Sequence, residues 1–116
     1  MARSFPGIPD EVIEAARREY QASTFTSAPE LRPITCDGRV VGFYCPRERK
    51  VGRSLGPVFV MPEFRRRGLA LNLFHSVSGP LVACVRDDNP ASQRLVERAG
   101  FVRWKRYAAG WWWRRP

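Results

Sequence analysis

The sequence is poor in acidic residues, in lysine and in histidine. Its 116 residues include 20 Lys and Arg against 11 Asp and Glu, and only Lys50 and Lys105 are lysines. The net charge of +9 favours polyanionic neighbours such as nucleic acid, an acidic protein or a phosphate-rich cofactor. Arginine clusters bind phosphate through paired hydrogen bonds, but a base-composition bias in the gene explains the arginine count equally well.

Cysteine is scarce, and its spacing suits neither a disulfide framework nor a metal site. Cys36, Cys45 and Cys84 are an odd number without a CxxC pair, and His75 is the single histidine, so no zinc site is predicted. No apolar run approaches the roughly 20 residues that span a bilayer, and the start lacks the apolar core of a signal peptide. We therefore expect a soluble cytoplasmic protein without metal or membrane contacts.

The residues that are present suit one packed domain over 1–116. Hydrophobic residues make up 44% and aromatic residues 12% of the chain, which argues against disorder. Segments 23–33 and 47–53 are expected to be loops. Periodicity and turn residues predict these elements in chain order: a helix capped by Asp10, a hairpin over 34–45 turning at Asp37-Gly38, a strand at 54–61, a helix at 68–77, a strand at 81–85, a helix at 89–99, and strands at 101–107 and 110–114. This order is typical of an α/β or α+β domain with a mixed sheet.

The junction between the strand at 54–61 and the helix at 68–77 carries the sharpest chemical signal. Its Glu63-Phe-Arg-Arg-Arg67-Gly68 turn is basic and contains glycine. Such a turn exposes unpaired backbone N–H groups at the positive end of a helix dipole, which favours an anion. The motif is neither a Walker A loop nor GxGxxG. The sequence therefore predicts a phosphate site of another kind.

Two segments resemble the GCN5-related N-acetyltransferase (GNAT) family. Arg65-x-x-Gly68-x-Ala70, after a strand ending Val60-x-Pro62, resembles the family's (Q/R)xxGx(G/A) loop for the acetyl-CoA pyrophosphate. The segment from Val85 through Asn89 to Gly100-Phe101 is similar to its strand, Asn, helix and Gly-Phe signature. The resemblance covers about 34–107. It implies a mixed, mostly antiparallel sheet flanked by helices, in which a splayed central strand pair forms the acetyl-CoA cleft. The chain would be a short and divergent member of the family.

The resemblance also implies which residues contact acetyl-CoA. The backbone of Val58, Phe59 and Val60 would pair with the pantetheine arm as a peptide pairs with a sheet edge, and Asn89 would hydrogen-bond the pantetheine near Ser92. The loop residues would wrap the pyrophosphate: Arg65, Arg66, Arg67, Gly68, Leu69, Ala70 and Leu71. Taken singly, Gly68, Asn89 and Gly100 are better explained as helix ends, and only their joint pattern favours the acetyl-CoA interpretation.

Two catalytic residues carried by many members are replaced here. The position of the glutamate base holds Cys84, and the position of the tyrosine acid on the second helix holds Val96. The missing base matters more: deprotonating a lysine of pKa about 10.4 at pH 7 costs about 4.6 kcal/mol, whereas expelling a thiolate of pKa about 8.5 costs about 2 kcal/mol. A neutral acceptor amine would avoid that cost.

Other side chains are candidates for the missing roles. We consider His75, Glu63 or Asp87 as a substitute base, and Tyr107 or Tyr44 as a substitute acid. Cys84 is interpreted first as a small buried strand residue and second as the site of a covalent acyl-cysteine. A single histidine on a short helix is more often a surface or packing residue than a base, and His75 is interpreted first in that way.

The last two strands combine tryptophan with arginine. Trp111 and Trp113 would share one face of a strand and Trp112 the other, so helices covering both faces or a homodimer interface through Trp111 to Trp113 would explain them. Nucleic-acid stacking is the third interpretation, because five cations interleave with these rings without an acidic residue. They are Arg103, Lys105, Arg106, Arg114 and Arg115.

Together these features predict an acetyl-CoA-dependent N-acetyltransferase. It would transfer acetyl to a primary amine of a small molecule or protein by direct attack in a ternary complex, without a metal. Two alternatives stay open: an enzyme that modifies a nucleobase or a nucleic-acid-bound protein, and a catalytically weak CoA-binding or inhibitor protein of the same fold.

Overall fold

The computed structural model describes residues 5–20 and 30–116. Within these ranges the chain forms three α-helices, eight strands and a 3₁₀ turn at Pro62–Phe64. The helices are α1 (Asp10–Glu19), α2 (Leu69–Ser76) and α3 (Pro90–Arg98). The strands are β1 (Arg32–Cys36), β2 (Arg39–Tyr44), β3 (Arg47–Arg49), β4 (Gly52–Ser54), β5 (Phe59–Val60), β6 (Leu81–Arg86), β7 (Val102–Tyr107) and β8 (Gly110–Arg115). In the described part of the chain, no helix is long and apolar enough to cross a membrane.

The chain divides into two compact units. The first comprises 1–47 and 55–69, and the second comprises 48–54 and 70–116. The first unit contains a three-stranded sheet in the order β1-β2-β5, and the second a three-stranded sheet in the order β6-β8-β7. In both sheets the paired strands run antiparallel. A single domain over 1–116 stays a prediction.

Helix α1 supplies much of the core of the first unit. Its N-cap is Pro9, whose carbonyl accepts from the N–H groups of Val12 and Ile13 at 3.0 and 3.3 Å. Asp10 is therefore the first helical residue, and the prediction that it caps the helix is wrong. Its carboxylate still lies at the positive end of the helix dipole. The buried residues of this core are Phe5, Ile8, Val12, Ile13, Ala15, Ala16, Leu31, Phe43, Cys45, Phe59 and Met61.

The predicted hairpin at Asp37-Gly38 is confirmed. Asp37 and Gly38 have φ of 52° and 79°, as a type I′ turn requires, and β1 pairs with β2 on either side. Strand β1 begins at Arg32, so the loop prediction over 23–33 is wrong at its last two residues; 23–29 lie outside the described residues. Pro33 lies in an edge strand, where a missing N–H costs least.

The predictions of a loop at 47–53 and of a strand at 54–61 are both corrected. The expected loop at 47–53 forms the hairpin β3-β4, whose charged residues give no apolar alternation for a sequence pattern to detect. The expected strand at 54–61 shrinks to Phe59–Val60. Pro57 interrupts it, since proline lacks the N–H that a ladder needs.

In the second unit the last strand in sequence is the central strand of its sheet. Strand β8 pairs with β6 from Arg86↔Gly110 to Leu81↔Arg115, and with β7 from Tyr107↔Gly110 to Val102↔Arg114. The register shifts between Arg103 and Lys105, so Trp104 lies at a bulge.

Helix α2 ends on a side chain from β8. The guanidinium of Arg115 donates to the carbonyls of Phe74, Val77 and Gly79 at 2.6, 2.5 and 3.0 Å. The carbonyl of Phe74 belongs to the last helical turn, and those of Val77 and Gly79 follow it. A cation there also opposes the negative end of the dipole. Arg115 therefore serves as a helix cap.

Candidate functional site

The turn before α2 has the backbone geometry of an anion site. Arg66 and Gly68 have φ of 64° and 76°, whereas Arg67 between them is not in the positive-φ region. Successive residues of alternating handedness direct neighbouring N–H groups toward one side, forming a concave nest for an anion. Helix α2 begins directly afterwards at Leu69 and adds its unpaired N–H groups. The predicted phosphate loop thus has a backbone suited to phosphate.

Arg66 has a left-handed backbone conformation that is unfavourable for a residue other than glycine. A non-glycine residue in the left-handed region costs about 1–2 kcal/mol, and such outliers concentrate at functional sites. Its side chain is exposed and has no carboxylate partner in 5–20 or 30–116. The same is true of Arg67, whose guanidinium lies 5.0 Å from the centroid of Phe64 and 3.9 Å from Sγ of Cys36. Two cations at the turn are therefore available to an anion.

Arg65 is held by protein groups. Its Nη2 lies 2.7 and 2.6 Å from the two carboxylate oxygens of Glu19, and its Nε donates to the carbonyl of Val60 at 2.9 Å. The guanidinium links α1 to the end of β5. Its contact with pyrophosphate stays a prediction, but these bonds assign the side chain a positioning role.

Among the strands that the structure describes, β5 is an edge strand of its sheet and is hydrogen-bonded to β2 alone. The N–H of Met61 donates to the carbonyl of Val41 at 2.8 Å. In an antiparallel ladder, successive residues direct their N–H and C=O groups alternately toward and away from the partner strand. The groups of Phe59 therefore face β2, and those of Val60 face away from it. The carbonyl of Val60 accepts from Arg65, and that of Val58 lies 3.5 Å from the hydroxyl of Tyr20. The outward group left for a ligand at β5 is the Val60 N–H.

In the second unit, Asn89 caps α3. Its side-chain oxygen accepts from the N–H of Ser92 at 3.1 Å, so the simple helix-end interpretation holds for that oxygen. The side-chain NH₂ has no protein partner among the residues that the structure describes. A contact between Asn89 and pantetheine stays a prediction, and this NH₂ is the group that would make it.

Cys84 and Tyr107 are neighbours in the second unit. Cys84 is exposed, so its interpretation as a buried strand residue is wrong: it faces the same side as Trp112, which that sheet leaves partly open. Burial, and then the hydrogen bond with Cys84, raise the pKa of Tyr107 to about 12. At neutral pH its hydroxyl is protonated and donates hydrogen bonds.

The other candidate catalytic groups differ in their surroundings. Asp87 forms a two-point ion pair with Arg106 at 2.6 and 2.7 Å, and this hydrogen-bonded pair lowers the pKa of the carboxyl, which weakens it as a base. His75 is exposed near the end of α2, and Glu63 is exposed in the 3₁₀ turn. Val96, at the family's acid position, is 3% exposed. In the described segments, no group of three His, Cys, Asp or Glu is arranged for a metal.

Comparisons with known proteins identify the fold. No protein-family model and no curated protein matches the sequence significantly. A structure from Bacillus cereus, a GNAT-family acetyltransferase, matches with a TM-score of 0.66 and 17% identity, over 97% of this chain and 90% of that one. The ribosomal-protein-S18-alanine N-acetyltransferase of Escherichia coli matches with a TM-score of 0.55 and 19% identity, over 84% and 77%.

A third match is less complete. A protein assigned to the GNAT acetyltransferases in Bordetella pertussis has a TM-score of 0.59 and 22% identity over 69% of this chain. The match spans 60% of the Bordetella chain, less than two thirds of its length. The fold that the two motifs predicted is confirmed: the chain has the mixed α+β fold of the GNAT acetyltransferases.

Proposed function

We propose that this chain binds acetyl-CoA and transfers its acetyl group to a primary amine. One observation carries the proposal: the turn at Arg66–Gly68 combines a strained, nest-forming backbone with two cations that lack carboxylate partners in the described segments. The GNAT fold supports it, since the solved relatives named above are acetyltransferases.

The residues present fit such a ligand. The N–H groups at the Arg66–Gly68 turn and the start of α2 would bind the pyrophosphate, and the guanidinium groups of Arg66 and Arg67 would add charge-assisted bonds. The Val60 N–H would bond the pantetheine arm at the edge of β5. Acetyl-CoA supplies the acetyl group as a thioester.

The acid–base groups of the chain restrict the acceptor. An α-amino group of pKa about 7.8 loses its proton at pH 7 for about 1 kcal/mol, against about 4.6 kcal/mol for a lysine. Cys84 stands at the base position and Asp87 is paired with Arg106, so we assign a neutral or weakly basic amine as the acceptor. The amine nitrogen forms the new C–N bond, the C–S bond breaks, and the amine proton passes to solvent.

Tyr107 is assigned a hydrogen-bonding role. With a pKa of about 12, its hydroxyl is a weaker acid than a thiol of pKa about 8.5, so transfer of its proton to the departing thiolate is unfavourable. Donation of a hydrogen bond requires no such transfer. This replaces the initial hypothesis of Tyr107 as a proton donor.

Calorimetry with acetyl-CoA and with free CoA tests cofactor binding. The variant Arg66→Gln/Arg67→Gln removes both free cations, and we expect binding at least about tenfold weaker, since hydrogen bonds to charged groups contribute about 1.5–3 kcal/mol each. Arg17→Gln/Arg18→Gln removes two arginines from α1 in the same unit and serves as the control. If both double variants weaken acetyl-CoA binding equally, the effect comes from net charge and not from the turn. If the native chain binds no CoA ester, the proposal is refuted.

Release of the CoA thiol tests the transfer itself. Peptides with a free α-amino group should be acetylated faster than peptides whose only amine is a lysine side chain, when both are assayed at neutral pH. A preference for lysine would contradict the acceptor assignment.

A second candidate is a CoA-binding protein with little turnover. Val96 is buried at the acid position, and Cys84 replaces the base. Tight acetyl-CoA binding without thiol release on small amines, peptides and nucleic acids would favour this candidate. A cytoplasmic location stays a prediction.

A further inference from the structure

The second unit contains a groove on its three-stranded sheet. Its volume is about 460 Å³, and its lining is mainly apolar. The lining includes Gly52 of β4, Leu81 and Val82 of β6, Val102 and Trp104 of β7, and Arg114 of β8. Val102 is 56% exposed, the one large hydrophobic side chain so exposed in the described residues.

The structure divides the five predicted nucleic-acid-binding cations into engaged and free groups. Arg115 caps α2, and Arg106 is paired with Asp87. Arg103 lies 5.4 Å from the ring centroids of both Trp111 and Trp113, on the face opposite Trp112. Arg103 and Arg106 do not line the groove, and Arg115 lines it but has its guanidinium bonded to the end of α2.

Arg114 lines the groove, and Lys105 lies beside it on the same tryptophan, Trp104, which also lines the groove. Nζ of Lys105 is 4.4 Å and Cζ of Arg114 is 5.0 Å from the Trp104 ring centroid. Neither has a carboxylate partner within 5–20 and 30–116. A cation–π contact holds a guanidinium at the surface with its charge uncompensated.

The remaining charge at the groove is also positive. Arg53 lines it and is 3.9 Å from Glu48, a loose and exposed pair. No aspartate or glutamate lines the groove. The second unit as a whole holds eleven Lys and Arg against four Asp and Glu. Charge complementarity therefore selects an anionic occupant.

We propose that this groove binds single-stranded nucleic acid. Bases would stack on Trp104 and on the guanidinium plane of Arg114, and phosphates would bind Lys105, Arg114 and Arg53, the combination used by sequence-tolerant single-strand binders. Two other occupants fit the groove less well. A second copy of the chain would bring like charges together, and an acidic peptide has no flat ring system to stack on Trp104. The site is independent of acetyl-CoA.

Fluorescence anisotropy of labelled oligo(dT) and oligo(rU), about 12 nucleotides long, tests the proposal with the full chain and no CoA. Binding should weaken as salt rises from about 50 to 300 mM. Lys105→Gln/Arg114→Gln should lower the slope of log K against log salt by about 1.4, because each phosphate contact on a single strand contributes about 0.7. Trp104→Leu should weaken binding about tenfold or more at fixed salt through lost stacking.

Arg94→Gln/Arg98→Gln is the matched control, since it removes two exposed cations from α3 in the same unit. It should leave affinity and slope nearly unchanged. Thermal melts show whether each variant is folded. If Trp104→Leu unfolds, the salt-slope measurement on Lys105→Gln/Arg114→Gln still tests the proposal, because these two side chains are exposed.

Four results would overturn the proposal. They are no binding at low salt, an equal loss in the control, displacement by polyglutamate as readily as by unlabelled oligonucleotide, and a concentration-dependent dimer that Trp104→Leu dissolves. The last two would assign the groove to an acidic peptide or to a second copy.

Discussion

Gly42 of β2 lies close to the backbone of β5. A Cβ built there would lie 2.0 Å from the carbonyl oxygen of Phe59. No Cβ contact is that short, so the glycine allows β5 to approach β2 beside the proposed pantetheine edge.

Gly42→Ala should therefore destabilise the protein by at least about 2 kcal/mol, because the clash is with backbone and the two strands must separate. Urea unfolding measures the change. Gly56→Ala is the control, since a Cβ at Gly56 meets nothing within 4 Å. Equal midpoints for the two variants would show that β5 adjusts freely.

Tyr107 links stability to pH. Its folded-state pKa is raised to about 12, against about 10 in an unfolded chain. Its stabilising contribution is therefore complete below about pH 10 and is lost as pH rises toward 12.

Tyr107→Phe should remove this dependence. Between about pH 9 and pH 11, the urea midpoint of the native chain should fall more than that of the variant. Parallel falls would show that the hydroxyl keeps its ordinary pKa. In the transfer assay, we expect the variant to be slower through loss of a hydrogen bond, and unchanged turnover would remove Tyr107 from the site.

The roles of individual arginines were not predictable from the sequence. Arg66, Arg106 and Arg115 are the same residue type in similar basic surroundings, but one is free at a turn, one is paired with Asp87 and one caps α2. The partners lie up to 41 residues away. Only the fold brings such groups together.

At the scale of elements, one side chain at the start of α3, that of Asn89, has two functions. The oxygen of Asn89 caps the helix, whereas its NH₂ is the group proposed for pantetheine. Substitutions can separate the two.

Asn89→Asp should keep the cap and lose the NH₂, whereas Asn89→Ala should lose both and cost about 1 kcal/mol of stability. We expect both variants to bind CoA more weakly and only the alanine variant to melt earlier. Melting curves and calorimetry provide the two readouts. Full CoA affinity in Asn89→Asp would leave Asn89 as a helix cap alone.

Elements with local signals were predicted well. The β1-β2 hairpin follows from Asp37-Gly38, and α3 from Asn89, Pro90 and a terminal Gly100, because caps and turns depend on nearby residues. The β3-β4 hairpin was missed, since its turn at Lys50–Val51 has no turn-forming residue. The cofactor turn was predicted from its motif, whereas the strain at Arg66 and the Cys84–Tyr107 pair required the three-dimensional structure.

At the scale of the whole molecule, the excess charge opposes folding. The chain carries +9, and self-repulsion favours expanded states. Exposed ion pairs such as Arg86–Asp88 at 3.1 Å offset little of this repulsion, because solvent screens both charges.

Raising NaCl from about 20 to 200 mM should therefore increase the melting temperature, because screening over about 10 Å weakens repulsion more than it weakens exposed pairs. Sulfate at equal ionic strength should increase it further by binding the Arg66–Gly68 turn. Arg94→Gln/Arg98→Gln, with two fewer cations, should respond less to NaCl. A melting temperature that falls with salt would mean that the ion pairs dominate.

The central position of β8 bears on how the chain is made. Strands β6 and β7 leave the ribosome before β8 and have no partner in their sheet until it arrives. During that interval both expose unpaired backbone, and α2 lacks the cap that Arg115 supplies. A nascent chain paused after Tyr107 would thus be the form of this protein most in need of a chaperone.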